Sequence, residues 1–182
     1  MKRVLLNLVL LFGIIVVIAG SACFLYAEKD HPKDRDLLEF FSENRHDFDA
    51  LIAMFKADRS LGRIGSNFER TSSFFGECKG DKVWNGDKIE VTKERLSDYR
   101  SLFTKLKLPA GIEGYCDKHE IYLYASTKGL SITGSTKGYA FLDERPKVLV
   151  DDLDTYWSAD GKSFIAYRHI EGNWYLFFDY ED

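Results

Sequence analysis

The stretch FIAYRHIEGNWYLFFDY, residues 164–180, carries the clearest local structural signal after residue 27. Two runs rich in aromatic and β-branched residues flank the dipeptide Gly172-Asn173. This arrangement is typical of a β-hairpin with a two-residue turn, because Gly and Asn accept the positive φ angles that such turns require. The sequence therefore predicts two antiparallel strands, 164–171 and 174–180, at its C-terminal end.

Further strands are predicted upstream of this hairpin. Residues 121–126 alternate with the period of two that a strand requires, and 139–142 and 148–150 are short apolar runs. Glycines interrupt the segment 58–80, which predicts short strands joined by turns.

The only internal repeat in the sequence is Ser-Thr-Lys-Gly, at residues 126–129 and 135–138. We interpret each copy as a reverse turn or strand end in which glycine adopts a positive φ angle. If the copies are successive hairpin turns, they lie at opposite ends of the strand that joins them and would not form one site. Neither copy matches a phosphate-binding loop, whose glycines precede the lysine and which leads into a helix.

Two helices are predicted. The first begins near Asp34 or Asp36, either of which can cap it, and runs to about Ala57. The second is capped by Thr92 and ends before Pro109. In both helices apolar residues recur at the spacing of one buried face: Leu37, Phe41, Phe48, Leu51, Ile52 and Phe55 in the first, and Leu96, Tyr99, Leu102, Phe103 and Leu106 in the second.

The outer face of the first helix is acidic. Glu43 and Asp47 lie four residues apart, and like charges at that spacing destabilise a helix. This face is therefore not optimised for helix stability alone, and it is either a solvated surface or a functional patch.

The N-terminal run of 24 residues from Val4 to Ala27 is apolar apart from one asparagine, two glycines and one serine. As a helix it would be about 36 Å long, at about 1.5 Å per residue, which is enough for a hydrocarbon core of about 30 Å. Lys2 and Arg3 precede it, so the positive-inside preference places the N-terminus in the cytoplasm and the remainder outside. A buried helix of a soluble protein is the alternative, but such helices are seldom apolar on every face over this length.

Three fates fit this segment, and they differ at Cys23. The helix is retained as an anchor, or it is a signal peptide cut after the small residues Gly20-Ser21-Ala22, or the same cut leaves Cys23 as a lipidated N-terminus. Gly20 occupies a position where lipoproteins usually have a branched aliphatic residue. All three routes export the rest of the chain, to the periplasm or the cell exterior of a bacterium.

The chain is expected to comprise an anchor or signal segment at 1–27, a tether at 28–33 and one exported domain at 34–182. The fold class predicted for this domain is α+β, with two helices packed on a mostly antiparallel sheet of about four to six strands. Outside the leader, 23 basic residues stand against 29 acidic ones, a net charge of −6. Such a surface does not favour nucleic acid as a partner.

Cys78 and Cys116 are the only cysteines after the leader, and in an oxidising compartment they would most simply form a disulfide. Two separate buried thiols are the alternative. No metal site is predicted. The pair Cys116 and His119 lacks a matching second pair, and the acidic group at 151–160 does not fit an EF-hand loop, since Tyr156 falls where the first carboxylate is required.

No catalytic signature for an enzyme is present, and no cofactor is predicted. The four histidines are scattered, and the sequence has no nucleophile elbow and no zinc-protease motif. We therefore expect a non-catalytic module that binds another envelope protein, as an immunity-type inhibitor or an accessory, with Tyr156, Trp157, Arg168 and His169 as binding candidates. The alternatives are a hydrolase with a dispersed site near His169 and a module that binds a small ligand or lipid.

Overall fold

The computed structural model describes residues 31–71, 88–114, 118–130 and 133–182. Within this part of the chain, helices α1 (Asp34–Ala57) and α2 (Lys93–Lys105) pack on a seven-stranded sheet. The strands are β1 (Leu61–Ile64), β2 (Glu69–Thr71), β3 (Ile112–Gly114), β4 (Glu120–Leu130), β5 (Thr133–Leu142), β6 (Phe164–Glu171) and β7 (Trp174–Glu181).

The strand order is β2-β1-β3-β4-β5-β7-β6, and all neighbouring strands are antiparallel. The predicted α+β class is confirmed, but the predicted count of about four to six strands is too low. Strands β1 to β3 have only three or four residues each, too few to show a period of two. Residues 148–150 add a single parallel bridge, between Leu149 and Tyr167, along the outer edge of β6.

Helix α1 has the predicted bounds, and its predicted apolar face is buried. The prediction that Asp34 or Asp36 caps it is wrong, because Lys33 is the N-cap residue and makes no side-chain cap. The Asp34 carboxylate instead accepts a hydrogen bond of 2.9 Å from the amide of Leu153. The carboxylate therefore bonds to a residue distant in sequence instead of capping its own helix, and local spacing does not predict such a partner.

Helix α2 is capped by Thr92, as predicted, since its hydroxyl accepts a hydrogen bond of 3.2 Å from the amide of Arg95. The helix ends in a left-handed turn at Lys107, whose φ is 53°. The amide of Leu108 closes this turn with a 2.9 Å bond to the carbonyl of Phe103. Glycine is the usual residue at such a position, so Lys107 holds an unfavourable conformation.

The two Ser-Thr-Lys-Gly copies are not successive turns but lie within strands, so the reverse-turn interpretation is wrong and the strand-end alternative is nearer the structure. They lie opposite each other on β4 and β5, where Thr127 pairs with Thr136 and Lys128 pairs with Ser135. Leu130 and Thr133, which lie between the copies, also pair, so the copies are neighbours in the sheet, whereas successive turns would have placed them at opposite ends. Of the two repeat glycines only Gly129 has a positive φ, 102°.

The sheet has an aromatic second face that no helix of the described residues covers. Side chains of β4, β6 and β7 form a small separate core there: Tyr122, Tyr124, Tyr167, Tyr175 and Phe177, with Ala140 beneath them. The hydroxyls of Tyr122 and Tyr167 meet at 2.9 Å across the two strands between them. Aromatic rings thus bury this face without a further layer of structure.

The predicted C-terminal hairpin is confirmed, and Gly172 takes a positive φ of 51° in its turn. The predicted leader 4–27, Cys23, and the proposed disulfide between Cys78 and Cys116 lie outside the described residues. Among the residues that the structure describes, neither helix combines the length and apolarity of a membrane span.

Candidate interaction surface

Trp157 lies in the loop before β6 with 53% of its surface exposed. Its indole packs on two rings of the C-terminal hairpin, with centroid distances of 4.6 Å to Tyr180 and 5.5 Å to Phe164. Tyr156 contacts the other side of Phe164 at 5.2 Å. These four residues, Tyr156, Trp157, Phe164 and Tyr180, form what we call the Trp157 patch. An exposed indole is thereby held by rings that stand on two paired strands.

A second layer of rings backs the patch. Phe178 packs on Phe164 at 5.7 Å, and the imidazole of His31 packs on Phe178 at 5.5 Å. His31 Nε2 also lies 2.7 Å from the hydroxyl of Ser135 on β5. Burial, with the charges of Lys128 and Lys137, lowers the pKa of His31 to about 4. His31 is therefore neutral at pH 7 and fixes the start of the domain beside the patch.

A buried ionic cluster holds the loop that carries Trp157. Lys137 lies 2.7 Å from Asp34 and 2.6 Å from Asp154, and Arg168 donates a 3.0 Å hydrogen bond to Asp34. Asp154 also accepts from the backbone amide of Asp34, the first residue of α1. The cluster joins α1, β5, β6 and the loop, and its partly exposed member Asp154 lies three residues before Trp157 in the chain.

Asp34 stays ionised in this cluster. Burial by itself raises the pKa of Asp34, but Lys137, the amide of Leu153 and Arg168 together lower it below the ordinary value of 3.8. A buried carboxylate with these partners remains charged at physiological pH. Arg168 is therefore engaged by Asp34 through one guanidinium nitrogen while its side chain stays 31% exposed, and its role in binding stays a prediction.

His169 and Trp157 do not form one site. Arg168 and His169 point to opposite faces of β6, as neighbouring strand residues do. His169 packs on Tyr175 at 5.1 Å, and its Nε2 lies 3.1 Å from the carbonyl of Gly172. The Trp157 patch is at the other end of the same strand. The four predicted binding residues therefore fall into two separate places, with Tyr156 and Trp157 in the Trp157 patch and Arg168 and His169 beside one cleft.

A cleft of about 580 Å³ lies beside His169, at the edge of β6. Its lining includes Arg145, Asp151, Arg168 and His169, but none of its lining residues carries a hydroxyl or thiol that could act as a nucleophile. The hydrolase alternative thus has a cleft in the predicted place, lined by an imidazole and a carboxylate, and it stays an untested prediction.

The acidic loop residues serve structural roles. Asp154 pairs with Lys137, and Asp152 accepts a 2.7 Å bond from the amide of Asp154. Asp160 accepts from Ser158 and from the amide of Lys162 in a tight turn. Within the described ranges no group of three or more metal-ligating side chains occurs.

An open groove of about 420 Å³ runs between α1 and the end of α2. The floor of this acidic groove includes Leu37, Phe40 and Leu106, and Asp36, Glu39 and Glu43 of α1 supply carboxylates along it. Pro32 lines the groove, next to His31 of the layer behind the Trp157 patch. The sequence predicts the acidic face of α1 but not the groove, because residues 106 and 107 come to line the groove only through the tertiary fold.

Comparison of the chain with protein-family models, with curated proteins and with solved structures finds no match. Any function assigned to the chain therefore depends on its own residues and their geometry.

Proposed function

We propose that this protein is a non-catalytic binding module, held at a bacterial cell envelope by residues 4–27, that recognises another envelope protein through the Trp157 patch. An immunity-type inhibitor or an accessory subunit is the kind of protein that fits this description. The observation that carries the proposal is the exposure of Trp157 on a base of packed aromatic rings.

The energetics of interfaces support this choice of surface. Tryptophan and tyrosine are enriched among the few residues that dominate binding energy, because a large ring loses little conformational entropy when it is buried by a partner. Trp157 is already oriented by Phe164 and Tyr180, so little further ordering is needed. Among the described residues the other exposed large apolar side chain is Val148, at 39%, which lies on a different segment.

The tether supports the cellular part of the proposal. If residues 4–27 remain in a membrane, only residues 28–30 separate them from His31, which is already bonded to the sheet. A domain held this way stays near the membrane surface. Mass spectrometry of the mature N-terminus in the native host distinguishes a retained anchor from cleavage before Cys23, with or without lipid.

Site-specific photo-cross-linking tests the binding role. A photoreactive phenylalanine analogue is placed at position 157 of the full chain in its host, and at position 148 as the control. We expect a discrete adduct with one envelope protein from position 157 and none from position 148. Equal adducts from both positions, or none from position 157, would reject the Trp157 patch as the binding surface.

A further inference from the structure

The acidic groove has carboxylates that the domain itself does not neutralise. Glu39 and Glu43 are both exposed and lie four residues apart on α1, a spacing at which like charges repel. Neither forms an ion pair with the residues that the structure describes, whereas Asp47, on the next turn, pairs with Lys105 at 2.6 Å. The helix thus tolerates an unfavourable charge pair directly above an apolar floor.

The groove already contains one cationic group. The ammonium of Lys107 lies 4.6 Å from the centroid of Phe40, a cation–π distance. Lys107 occupies a left-handed position, with φ of 53°, where glycine would be less strained. The ammonium therefore shows which chemistry the groove accommodates: a cation over the aromatic floor, next to carboxylates.

From this charge complementarity we propose that the acidic groove binds a basic, apolar segment of the partner protein. Leucine-like side chains of that segment would lie on the half-buried ring of Phe40, and its lysines or arginines would face Glu39 and Glu43. This inference rests on the proposed function and specifies the partner's chemistry. Pro32 lines the groove, and the preceding residue His31 packs on Phe178 behind the Trp157 patch, so we place both surfaces in reach of one partner.

A short peptide of alternating lysine and photoreactive leucine serves as the probe. It is added to the full chain in phosphatidylcholine nanodiscs, and the adducts are located by mass spectrometry. We expect labelling on the accessible groove residues Phe40, Glu39 and Glu43. The variant with both Glu39→Lys and Glu43→Lys should be labelled about tenfold less, since two attractions become repulsions.

Three controls make the result specific. The variant with Glu90→Lys and Glu144→Lys carries the same change in net charge at two exposed glutamates elsewhere and should be labelled like the wild type. A peptide with glutamate in place of lysine should not label the groove. Lys107→Gly removes the ammonium that occupies the groove, and glycine suits the left-handed backbone at this position. The peptide should label this variant about threefold more than the wild type, because a competing cation is lost.

Adducts spread over the whole surface, or equal loss in both double variants, would overturn the proposal. The failure of the two proposals is distinguishable. If the peptide labels the groove but position 157 gives no adduct, the Trp157 patch is rejected as the binding surface and the proposal of a basic ligand in the groove stands. If position 157 still gives its adduct in the Glu39→Lys and Glu43→Lys double variant, and the peptide does not label the groove, the binding role of the patch stands and the basic segment is rejected.

Discussion

The ammonium of Lys137 lies 2.7 Å from a carboxylate oxygen of Asp34, and both side chains are at least 97% buried. Asp34 begins α1, and Lys137 lies in the middle of β5, next to the second strand of the C-terminal hairpin. The pair thus joins the helix that follows the tether to the sheet that supports the Trp157 patch.

Lys137→Met should destabilise the domain by about 3–5 kcal/mol, because it leaves the Asp34 and Asp154 carboxylates without their shared cation. Chemical denaturation monitored by tryptophan fluorescence measures the change. Lys162→Met is the matched control, since the Lys162 side chain is 80% exposed and lies 3.8 Å from Asp160. It should change stability by less than about 0.5 kcal/mol. Similar losses in the two variants would contradict the role of the buried pair.

His31 should make the domain sensitive to mild acid. Its pKa is about 4 in the folded chain, below its ordinary value of 6.5, so the unfolded chain binds more protons between these two values. The stabilisation is complete above pH 6.5 and is lost as the pH falls through 4. We expect about 1–2 kcal/mol, reduced for partial exposure.

Histidine NMR titration and denaturation at several pH values check this expectation. His31→Gln should flatten the pH dependence of stability between pH 4 and 6.5, whereas His46→Gln, at an exposed position on α1, should leave it unchanged. A measured pKa of His31 near 6.5 would be inconsistent with its burial beside Lys128 and Lys137.

Gly138→Ala should destabilise the sheet by about 3 kcal/mol, as expected for overpacking between two central strands. A Cβ atom at Gly138 would come 2.0 Å from the carbonyl oxygen of Leu123 on β4. Gly161→Ala provides the comparison. It has open space around it but a φ of 67°, so only the backbone cost of about 1 kcal/mol applies. Thermal denaturation ranks the two, and the reverse order would contradict the close approach of β4 and β5.

Lys118→Ala should loosen the end of α1. The Lys118 side-chain nitrogen donates to the carbonyl of Phe55 and, at 2.6 Å, to that of Asp58, and burial lowers its pKa to about 7, so it caps the helix end mainly through these two hydrogen bonds. Losing both bonds should cost about 2 kcal/mol and accelerate hydrogen exchange in the last turn of α1. Lys147→Ala, at an exposed position, is the control. Unchanged protection in Lys118→Ala would show that this cap is dispensable.

Local patterns predicted the helices and the C-terminal hairpin because the relevant signals lie close together in sequence. The face of α1 from Leu37 to Phe55 and the turn at Gly172-Asn173 are of this kind. The pairing of the two Ser-Thr-Lys-Gly copies was not predictable in this way. Glycine indicates a turn, but the two copies pair along β4 and β5, and the pairing continues past both copies to Leu130 and Thr133.

The candidate surfaces were only partly predictable for the same reason. Tyr156 and Trp157 stood out as aromatic residues in a loop, and that position is confirmed. The engagement of Arg168 by Asp34 joins residues 134 apart, and no local spacing reports such a pair. The acidic groove likewise requires the end of α2 to meet the start of α1.

The affinity of the cross-linked partner for the wild type, Trp157→Ala and Val148→Ala tests the central claim most directly. We expect Trp157→Ala to raise the dissociation constant by about 30-fold or more. This corresponds to a loss of at least about 2 kcal/mol of binding free energy, as expected for a dominant interface residue. Val148→Ala should stay within about twofold of the wild type. A Trp157→Ala variant that remains folded and binds as tightly as the wild type would contradict the account.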